Sequence, residues 1–269
     1  MKRKPRWSEA EIRKEQLDET IRETHTAYFG FERVPSAEKK ERVLRHFNRI
    51  AGRYDLMNTI LSFGIHHRWK RISIDLLHLN PGDRVLDVCG GTADLSILSA
   101  NRVTREGRVV VYDINRSMME EGRRKAEKRA VEGRIHFVQG DAECIPFPEG
   151  SFDAAMVGFG IRNVTHMQKA FGEMHRILKK GGKLMCLEFS KPVNPLFRGL
   201  YDFYSFHLMP LAGRIIAGSG LPYCCLSESI RLFPLPGELS EILEEIGFKA
   251  VSFRRLTNGI AVIHRGEKI

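Results

Sequence analysis

The chain has 269 residues and a formal net charge of +10, and 42% of its residues are hydrophobic. This length allows a complete core, so we expect one large domain with an appendage. No uninterrupted apolar run is long enough to span a bilayer, so we expect a protein that is at most peripheral to a membrane. The positive charge indicates an anionic partner, either nucleic acid or lipid head groups, unless it only maintains solubility.

The amino-terminal segment carries many charges of both signs and few large apolar side chains. We therefore expect residues 1–24 to be disordered or a frayed helix, and neither a secretory signal nor a transit peptide. The five cysteines, at positions 89, 144, 186, 224 and 225, show no metal-ligand spacing. They predict a reduced, cytosolic protein. No ligand cluster is visible in the sequence, and the reaction inferred below requires no metal.

Two segments before position 80 have apolar residues at helical spacing, and we assign residues 25–80 to an N-terminal helical cap. Strand-like and helix-like patterns alternate in the rest of the chain, residues 81–269, which we assign to the main domain. The predicted helices lie at 38–57, 65–77, 94–100, 117–130, 167–178 and 236–246. The predicted strands lie at 84–88, 108–113, 135–140, 152–159, 183–189, 250–256 and 260–264.

The short connections between alternating strands and helices predict a parallel sheet with helices on both faces. The last two strands are joined only by Thr257, Asn258 and Gly259, so they must form a hairpin. Five parallel strands followed by a hairpin make a seven-stranded, Rossmann-like α/β sheet, the layout of class I methyltransferases. Within this layout, Ser117 is predicted to cap the helix at 117–130, and Gly181 and Gly182 are predicted to turn the chain into the fifth strand.

The stretch at about 191–235 interrupts this rhythm with many aromatic residues and several prolines. It is too apolar for disorder, and long insertions in compact domains are usually functional. We predict mobile helices that cover the active site and offer apolar surface to a greasy substrate. Extra core packing is an equally good interpretation of most of its individual residues.

The segment 85–95, VLDVCGGTADL, reads as a buried strand, a glycine turn and the start of a helix. Gly90 and Gly91 let the backbone bend sharply and leave an open face for a ligand. Asp113 closes the next strand, at about the separation that places an acid on a ribose. Because the turn lacks the G-x-G-x-x-G spacing that cradles a pyrophosphate, a nucleoside without phosphates fits better. S-adenosylmethionine is the predicted cofactor.

Candidate site residues follow the strands, because ligands of such sheets lie outside the carboxyl ends. Gly90, Gly91 and Thr92 are predicted to meet the methionine part of the cofactor, Asp113 the ribose hydroxyls, and Asp141 with Ala142 the adenine edge. Arg162 and Asn163 follow the fourth strand and are predicted to face the transferred methyl group. The simpler alternatives are a helix cap for Asp113, a turn for Asp141 and a solvated charge for Arg162.

The end of the fourth strand also distinguishes substrate classes. It carries Gly158-Phe-Gly-Ile-Arg-Asn163, where enzymes that methylate base amino groups commonly have an Asp/Asn-Pro-Pro-aromatic turn. The chain has no Pro-Cys dipeptide either, which would supply the nucleophile for carbon-5 pyrimidine methylation. Nucleic acid is therefore a poor substrate prediction despite the positive charge.

Many short stretches outside the charged leader resemble the bacterial menaquinone and ubiquinone biosynthesis C-methyltransferase family. Arg53-Tyr-Asp-Leu-Met-Asn58 and Leu187-Glu-Phe-Ser-Lys-Pro192 are the most specific of them. The others are Tyr28-Phe-Gly-Phe31, Ser62-Phe-Gly-Ile-His66, Trp69-Lys-Arg71, the glycine turn, Ala142-Glu143, Pro146-Phe-Pro148, Phe159-Gly-Ile-Arg-Asn163, Tyr204-Ser-Phe206, Glu228-Ser-Ile230 and Phe233-Pro234.

The resemblance implies the class I fold and methyl transfer from S-adenosylmethionine to a ring carbon of a polyprenylated quinol precursor. It implies that Thr92, Asp113, Asp141 and Ala142 contact the cofactor. It also implies that Arg162 and Asn163 face the quinol. The chain departs from the family pattern at Ala93, where a glycine is common, at Gly158, where some members have a serine, and over the stretch 217–225.

A ring carbon attacks the methyl group well only if an adjacent phenol becomes a phenolate. Arg162 is the predicted cation that lowers the pKa of that phenol, and Asn163 adds a hydrogen bond. We expect a water held by Arg162 to remove the proton, with Tyr54, Asp55 and His207 as weaker candidates for this role.

We favour demethylmenaquinol as the substrate, but the residues themselves do not decide between it and the equivalent benzoquinol. An RNA methyltransferase or a non-catalytic scaffold of quinone enzymes are alternatives from other classes. A prenyl tail would bring the protein from the cytoplasm to the inner face of the membrane, where basic surface can contact anionic lipid. A homodimer is left open.

Overall fold

The structure is a computed structural model that describes Trp7, residues 10–217 and residues 220–269. Its strands are β1 (Thr26–Phe29), β2 (Glu32–Pro35), β3 (Arg84–Val88), β4 (Arg108–Asp113), β5 (Ile135–Gln139), β6 (Phe152–Gly158), β7 (Leu178–Phe189), β8 (Lys249–Leu256) and β9 (Ala261–Glu267). Its helices are α1 (Ala10–Lys14), α2 (Asp18–Thr24), α3 (Ser36–Ile50), α4 (Tyr54–Leu61), α5 (Ile65–Leu77), α6 (Asp94–Val103), α7 (Arg116–Lys128), α8 (Met167–Ile177), α9 (Pro195–Phe203), α10 (Met209–Ala217), α11 (Leu221–Leu232) and α12 (Pro236–Ile246).

Seven strands form one sheet in the order β5-β4-β3-β6-β7-β9-β8. The five strands from β3 to β7 are parallel to one another, whereas β9 runs antiparallel to both β7 and β8. The predicted seven-stranded Rossmann-like sheet with a C-terminal hairpin is therefore confirmed. Within the sheet, β4 lies beside β3 on one side and β6 lies beside it on the other, so the strand order reverses at β3. Such a reversal opens a crevice at the carboxyl ends of the strands.

The central strands are apolar on both sides because helices cover both faces of the sheet. Side chains alternate between the faces along each strand, so Val85 and Leu86 of β3 belong to different clusters of the core. The Val85 cluster contains residues of α5, α6 and α7, and the Leu86 cluster contains residues of α8 and α12. Each face of the sheet is thus closed by helices, and its carboxyl edge is left for a ligand.

Residues 10–24, which lie in the leader that we predicted to be disordered or a frayed helix, form α1 and α2. The Asp18 carboxylate accepts hydrogen bonds from the backbone N–H groups of Gln168 and Lys169 and so caps α8, while the Asp18 N–H donates to Gln168 Oε1. Arg13 pairs with Glu238 of α12. These partners are distant in sequence, so local composition did not reveal them. Positions 1–6 and 8–9 of the same prediction lie outside the described residues.

The other differences are local. The predicted helix at 38–57 is divided into α3 and α4 by a 3-10 turn at Ala51–Arg53 that contains a glycine. Asn115, not Ser117, caps α7 by accepting a hydrogen bond from the Met118 N–H. β7 begins at Leu178, so Gly181 and Gly182 lie within the strand, where its pairing with β6 shifts register. The hairpin of β1 and β2 was not predicted.

The stretch that interrupts the alternating pattern is helical. It contains α9, a π-helical turn at Tyr204–Leu208, α10 and α11. We call these helices the cover. The Tyr204 hydroxyl donates to the Leu61 carbonyl at 2.6 Å, so the cover is attached to the end of α4 in the cap. Positions 218 and 219 of the atypical stretch 217–225 lie outside the described residues.

Replacing Asp18 by alanine should destabilise the protein by about 1 kcal/mol, because α8 loses the side chain that caps its first N–H groups. The change should lower the urea midpoint without changing the m-value. Glu23→Ala, an exposed change at the end of the same helix, is the control and should leave the midpoint unchanged. Equal midpoints for Asp18→Ala and the parent protein would contradict the role assigned to α2.

Candidate active site

Two adjoining cavities lie at the carboxyl ends of the sheet. The larger has a volume of about 490 Å³ and the smaller about 120 Å³. They have six lining residues in common: Val43, Phe47, Tyr54, Lys70, Phe159 and Asn163. Two ligands can therefore meet at a shared wall, to which both the cap and the end of β6 contribute.

All six predicted cofactor residues line the smaller cavity: Gly90, Gly91, Thr92, Asp113, Asp141 and Ala142. The turn after β3 is tightly constrained. Gly91 has a φ of +49°, and a Cβ on Gly90 would lie 2.9 Å from Asp87 Cγ. Cys89 and Ala93 also have positive φ, of 55° and 63°. Ala93 thus occupies the left-handed conformation in which the family commonly has a glycine. Such backbone strain is concentrated at functional sites.

Asp113 is held at the end of β4 by the backbone around it. Its Oδ2 accepts from the Gly91 N–H at 2.9 Å, and its Oδ1 accepts from the Asn115 N–H at 2.7 Å. Burial raises the pKa of this carboxyl to about 6, while the N–H donors oppose the rise. The helix-cap alternative is wrong, because Asn115 performs that role. The fixed carboxylate faces the smaller cavity with lone pairs available for further donors.

Asp87 is a site residue that the sequence analysis missed. It lines the smaller cavity, its Oδ2 accepts from the Ser96 hydroxyl at 2.6 Å, and its Oδ1 is buried with no partner among the described residues. Burial raises its pKa to about 7. A buried acceptor without a donor costs about 1–3 kcal/mol, so this oxygen indicates a ligand with a donor group. The ammonium group of a bound amino acid is such a donor.

The Thr92 hydroxyl belongs to a charged network between the glycine turn and the cap. It donates to Asp55 Oδ1 at 2.7 Å, and Lys125 lies between Asp55 and Asp94 at 2.5 and 2.6 Å. Lys70 pairs with the other oxygen of Asp94 at 2.5 Å. Burial opposes ionisation of Asp94, but the two ammonium groups hold its pKa well below the usual range. Asp55, predicted as a weaker catalytic candidate, is engaged in this network.

Asp141 and Ala142 lie in a turn after β5. The Tyr112 hydroxyl lies 3.1 Å from the carbonyls of both Asp141 and Cys144 and fixes the turn. The Asp141 carboxylate accepts from the Glu143 N–H and from Lys40, at 3.0 and 2.8 Å. Burial opposes ionisation, yet the Lys40 ammonium lowers the pKa of Asp141. The turn interpretation of Asp141 is therefore correct, and the turn also lines the smaller cavity.

Arg162 and Asn163 occupy a 3-10 turn directly after β6 and line the larger cavity. The Arg162 side chain is only 6% exposed, so the alternative of a solvated charge is wrong. Its Nη1 lies 3.0 Å from both carboxylate oxygens of Glu188 and 2.5 Å from the Phe159 carbonyl. Its Nε and the Asn163 Nδ2 are buried and have no acceptor among the described residues. The two neighbouring residues thus offer unused donors.

Glu188 and His46 were also missed by the sequence analysis. The Glu188 side chain is 2% exposed; burial raises its pKa, and the Arg162 guanidinium opposes the rise. His46 lines the larger cavity, where burial and the Arg162 charge lower its pKa to about 4. It is therefore a neutral imidazole at pH 7. His207 contacts the Phe203 carbonyl and lines neither cavity, so the structure does not bring it to the site.

These residues fit S-adenosylmethionine. The smaller cavity combines a bent glycine turn, a fixed carboxylate at Asp113 and an unpaired acceptor at Asp87. At Gly158, where some family members have a serine, a Cβ would lie 2.5 Å from Leu95 Cδ1, so a larger residue there requires the Leu95 side chain to shift. The described part of the chain holds no group of three or more His, Cys, Asp or Glu arranged around a metal position.

Comparison with known proteins finds relatives over most of the chain. The model of the ubiE/COQ5 methyltransferase family matches residues 36–268. A protein named ubiquinone/menaquinone biosynthesis C-methyltransferase UbiE from Ectopseudomonas mendocina is 47% identical over 243 residues, which cover 90% of this chain and 95% of that protein. The protein of the same name from Pseudomonas fluorescens is 46% identical with the same coverage.

Two solved structures show the shared fold. The [4+2]-cyclase SpnF has a TM-score of 0.61 at 16% identity, with 84% of this chain and 95% of that chain covered. An S-adenosylmethionine-dependent methyltransferase from Thermotoga maritima has a TM-score of 0.59 at 19% identity, with 84% and 99% covered. Identities this low establish the architecture alone.

Replacing Gly140 by alanine should weaken binding of S-adenosylhomocysteine by about 10-fold or more. The new Cβ would lie 2.1 Å from the Tyr112 hydroxyl and would displace the ring that fixes the turn at Asp141. Calorimetric titration measures the effect. Gly133→Ala, whose Cβ would meet nothing within 4 Å, is the matched control. Equal affinities for the two variants would contradict the placement of the adenosine end at this turn.

The affinity for S-adenosylhomocysteine should fall as the pH is lowered through about 7 and 6, the raised pKa values of Asp87 and Asp113. Protonation removes an acceptor for the ligand's ammonium group and then an acceptor for its ribose hydroxyls. In Asp113→Asn, the step near pH 6 should disappear and the affinity at pH 8 should be lower. A parent affinity that stays constant from about pH 8 to 5 would contradict both assignments.

Proposed function

The chain belongs to the ubiE/COQ5 methyltransferase family, and we propose that it methylates a ring carbon of a polyprenylated quinol with S-adenosylmethionine. Demethylmenaquinol is the proposed substrate, and the equivalent benzoquinol of ubiquinone biosynthesis is the alternative. The names of the relatives mention both ubiquinone and menaquinone biosynthesis.

One observation carries this proposal: the two cavities meet beside buried donors that have no acceptor. Arg162 Nε and Asn163 Nδ2 are both unpaired among the described residues, and Asn163 lines both cavities. Leaving such donors buried is costly unless a ligand oxygen accepts from them. A quinol hydroxyl that enters through the larger cavity supplies that oxygen. It would place the adjacent ring carbon towards the smaller cavity.

In the proposed mechanism the protein stabilises a phenolate and excludes water. S-adenosylmethionine, when bound in the smaller cavity, supplies an electrophilic methyl group. Arg162 lowers the pKa of the quinol hydroxyl, Asn163 donates a second hydrogen bond, and Glu188 positions the guanidinium. A water held by Arg162 accepts the hydroxyl proton, and the neutral His46, which lines the same cavity, is a further acceptor for the proton that the methylated ring carbon loses. Alignment in a dry cavity supplies the remaining acceleration.

The lining of the larger cavity favours a lipid-like ring over RNA. Its wall includes Phe29, Phe47, Trp69, Phe159 and Phe189 among many other aromatic and aliphatic side chains. Base recognition would require more polar groups to read the base edges. The prenyl tail then gives the net charge of +10 a use, since basic surface attracts a cytoplasmic enzyme to anionic lipid at the inner face of the membrane.

Transfer of a labelled methyl group tests the proposed function directly. The full chain is incubated with labelled S-adenosylmethionine and, in separate reactions, demethylmenaquinol, a demethoxy-type benzoquinol and bulk RNA. Label on the naphthoquinol ring supports the main proposal, and label on the benzoquinol alone supports the alternative. Label on RNA alone, or on none of the three, would overturn it.

Arg162→Lys should lower kcat for quinol methylation by about 100-fold, because the donors of an ammonium all lie on one atom and do not reproduce the planar, spread donors of the guanidinium that pair with Glu188 and face the substrate. The affinity for S-adenosylhomocysteine should stay unchanged, since Arg162 does not line the smaller cavity. Initial rates and calorimetry measure the two effects. Arg105→Lys is the control, because Arg105 is exposed and lines neither cavity. An unchanged kcat in Arg162→Lys would contradict the proposed role.

A further inference from the structure

The cover presents apolar side chains to solvent on the side that a surface helix normally keeps polar. They extend along the continuous helical path from α9 through the π-helical turn to α10. The exposed residues are Leu196, Leu200, Phe203, Leu208, Leu211 and Ile215, which we name the apolar stripe. Phe203 and Ile215 are 57% and 74% exposed. Exposed apolar surface of this extent indicates contact with an apolar partner.

The spacing of the apolar stripe shows why it stays on one side of the helix. Its members are separated by four, three, five, three and four residues along the chain. The five-residue step from Phe203 to Leu208 crosses the π-helical turn at Tyr204–Leu208, which has about one more residue per turn than an α-helix. The turn therefore keeps the two halves of the stripe in line over about 28 Å.

The apolar stripe also adjoins the mouth of the larger cavity. Leu200 is 62% exposed and lines that cavity, and so does Phe63, which is 86% exposed. A long apolar tail that leaves the cavity there would pass into water unless another apolar phase covers the stripe. A second copy of the chain on the stripe would close the mouth with protein, whereas a bilayer both covers the stripe and takes up the apolar tail that leaves the mouth.

The charges around the stripe favour an anionic lipid surface. Between positions 191 and 217 the sequence has a single carboxylate, Asp202, and the structure pairs it with Arg231. The cations of this segment are Lys191, Arg198 and Arg214. Each basic residue close to an anionic membrane contributes about 1 kcal/mol of attraction. No helix of the described residues is long and apolar enough to cross a bilayer, so the helical path would lie parallel to the surface.

We infer that the apolar stripe of α9 and α10, together with Phe63, inserts into the interfacial layer of an anionic membrane and holds the mouth of the larger cavity against the lipid. This inference rests on the proposed function for the identity of the tail. Basic side chains steer the approach, and apolar insertion determines which face of the protein meets the bilayer.

Vesicle flotation of the full chain tests the inference without any turnover. The probe is a vesicle of equal parts phosphatidylcholine and phosphatidylglycerol. The parent protein should float with it, and Phe203→Ser with Ile215→Ser should weaken binding by about 10-fold or more. Phe253→Ser with Ile269→Ser is the matched control, since it removes the same residue types at exposed positions outside the stripe and should bind as the parent does. None of these four residues lines either cavity.

Equal flotation of the two double variants, or no flotation of the parent protein, would overturn the inference. Sedimentation without lipid tests the competing occupant: a parent dimer that Phe203→Ser with Ile215→Ser dissociates would show that a second copy covers the stripe. A monomer in both cases supports the bilayer.

Turnover separates this inference from the proposed function. The Phe203→Ser, Ile215→Ser variant should methylate a short-chain, water-soluble quinol at the parent rate and a vesicle-embedded, long-chain quinol more slowly. Equal rates for both proteins with the embedded substrate would count against insertion. If the parent protein methylates neither quinol, the proposed function fails while flotation still decides whether the stripe binds lipid.

Discussion

The reversal of strand order between β3 and β6 determines where the functional groups of this protein lie. The polypeptide crosses over one face of the sheet towards β4 and over the other face towards β7, so no connection covers the carboxyl ends of the two central strands. The glycine turn follows β3 and the turn with Arg162 follows β6, on either side of the same opening. Two ligands that enter this opening from different directions must meet there.

Burial of the Arg162–Glu188 pair is the main electrostatic feature of the opening. Removing two charges from water costs several kcal/mol for each, which is offset only by close pairing and further hydrogen bonds. Here Glu188 accepts from the Phe189 N–H as well as from Arg162, so the acid is well satisfied. Arg162 is not, because its Nε has no acceptor among the described residues. The imbalance leaves the donor side of the pair available to a substrate oxygen.

The strands and the residues that follow them could be predicted from the sequence. Apolar runs and glycine turns are local signals, and the rule that ligands bind at carboxyl ends converts them into positions such as Asp113 and Arg162. Asp87 and Glu188 could not be found in this way, because they lie within strands, where a carboxylate gives no local sign of its burial or its partners. The docking of Asp18 on α8 depends on a contact 150 residues away in sequence.

The cap is part of both binding sites. Val43 and Phe47 of α3, Tyr54 of α4 and Lys70 of α5 line both cavities, so the cap is a wall that the two ligands share. The Thr92–Asp55 hydrogen bond and the Asp55–Lys125 ion pair join this wall to the glycine turn and to α7. The charged network therefore fixes the shared wall relative to the glycine turn.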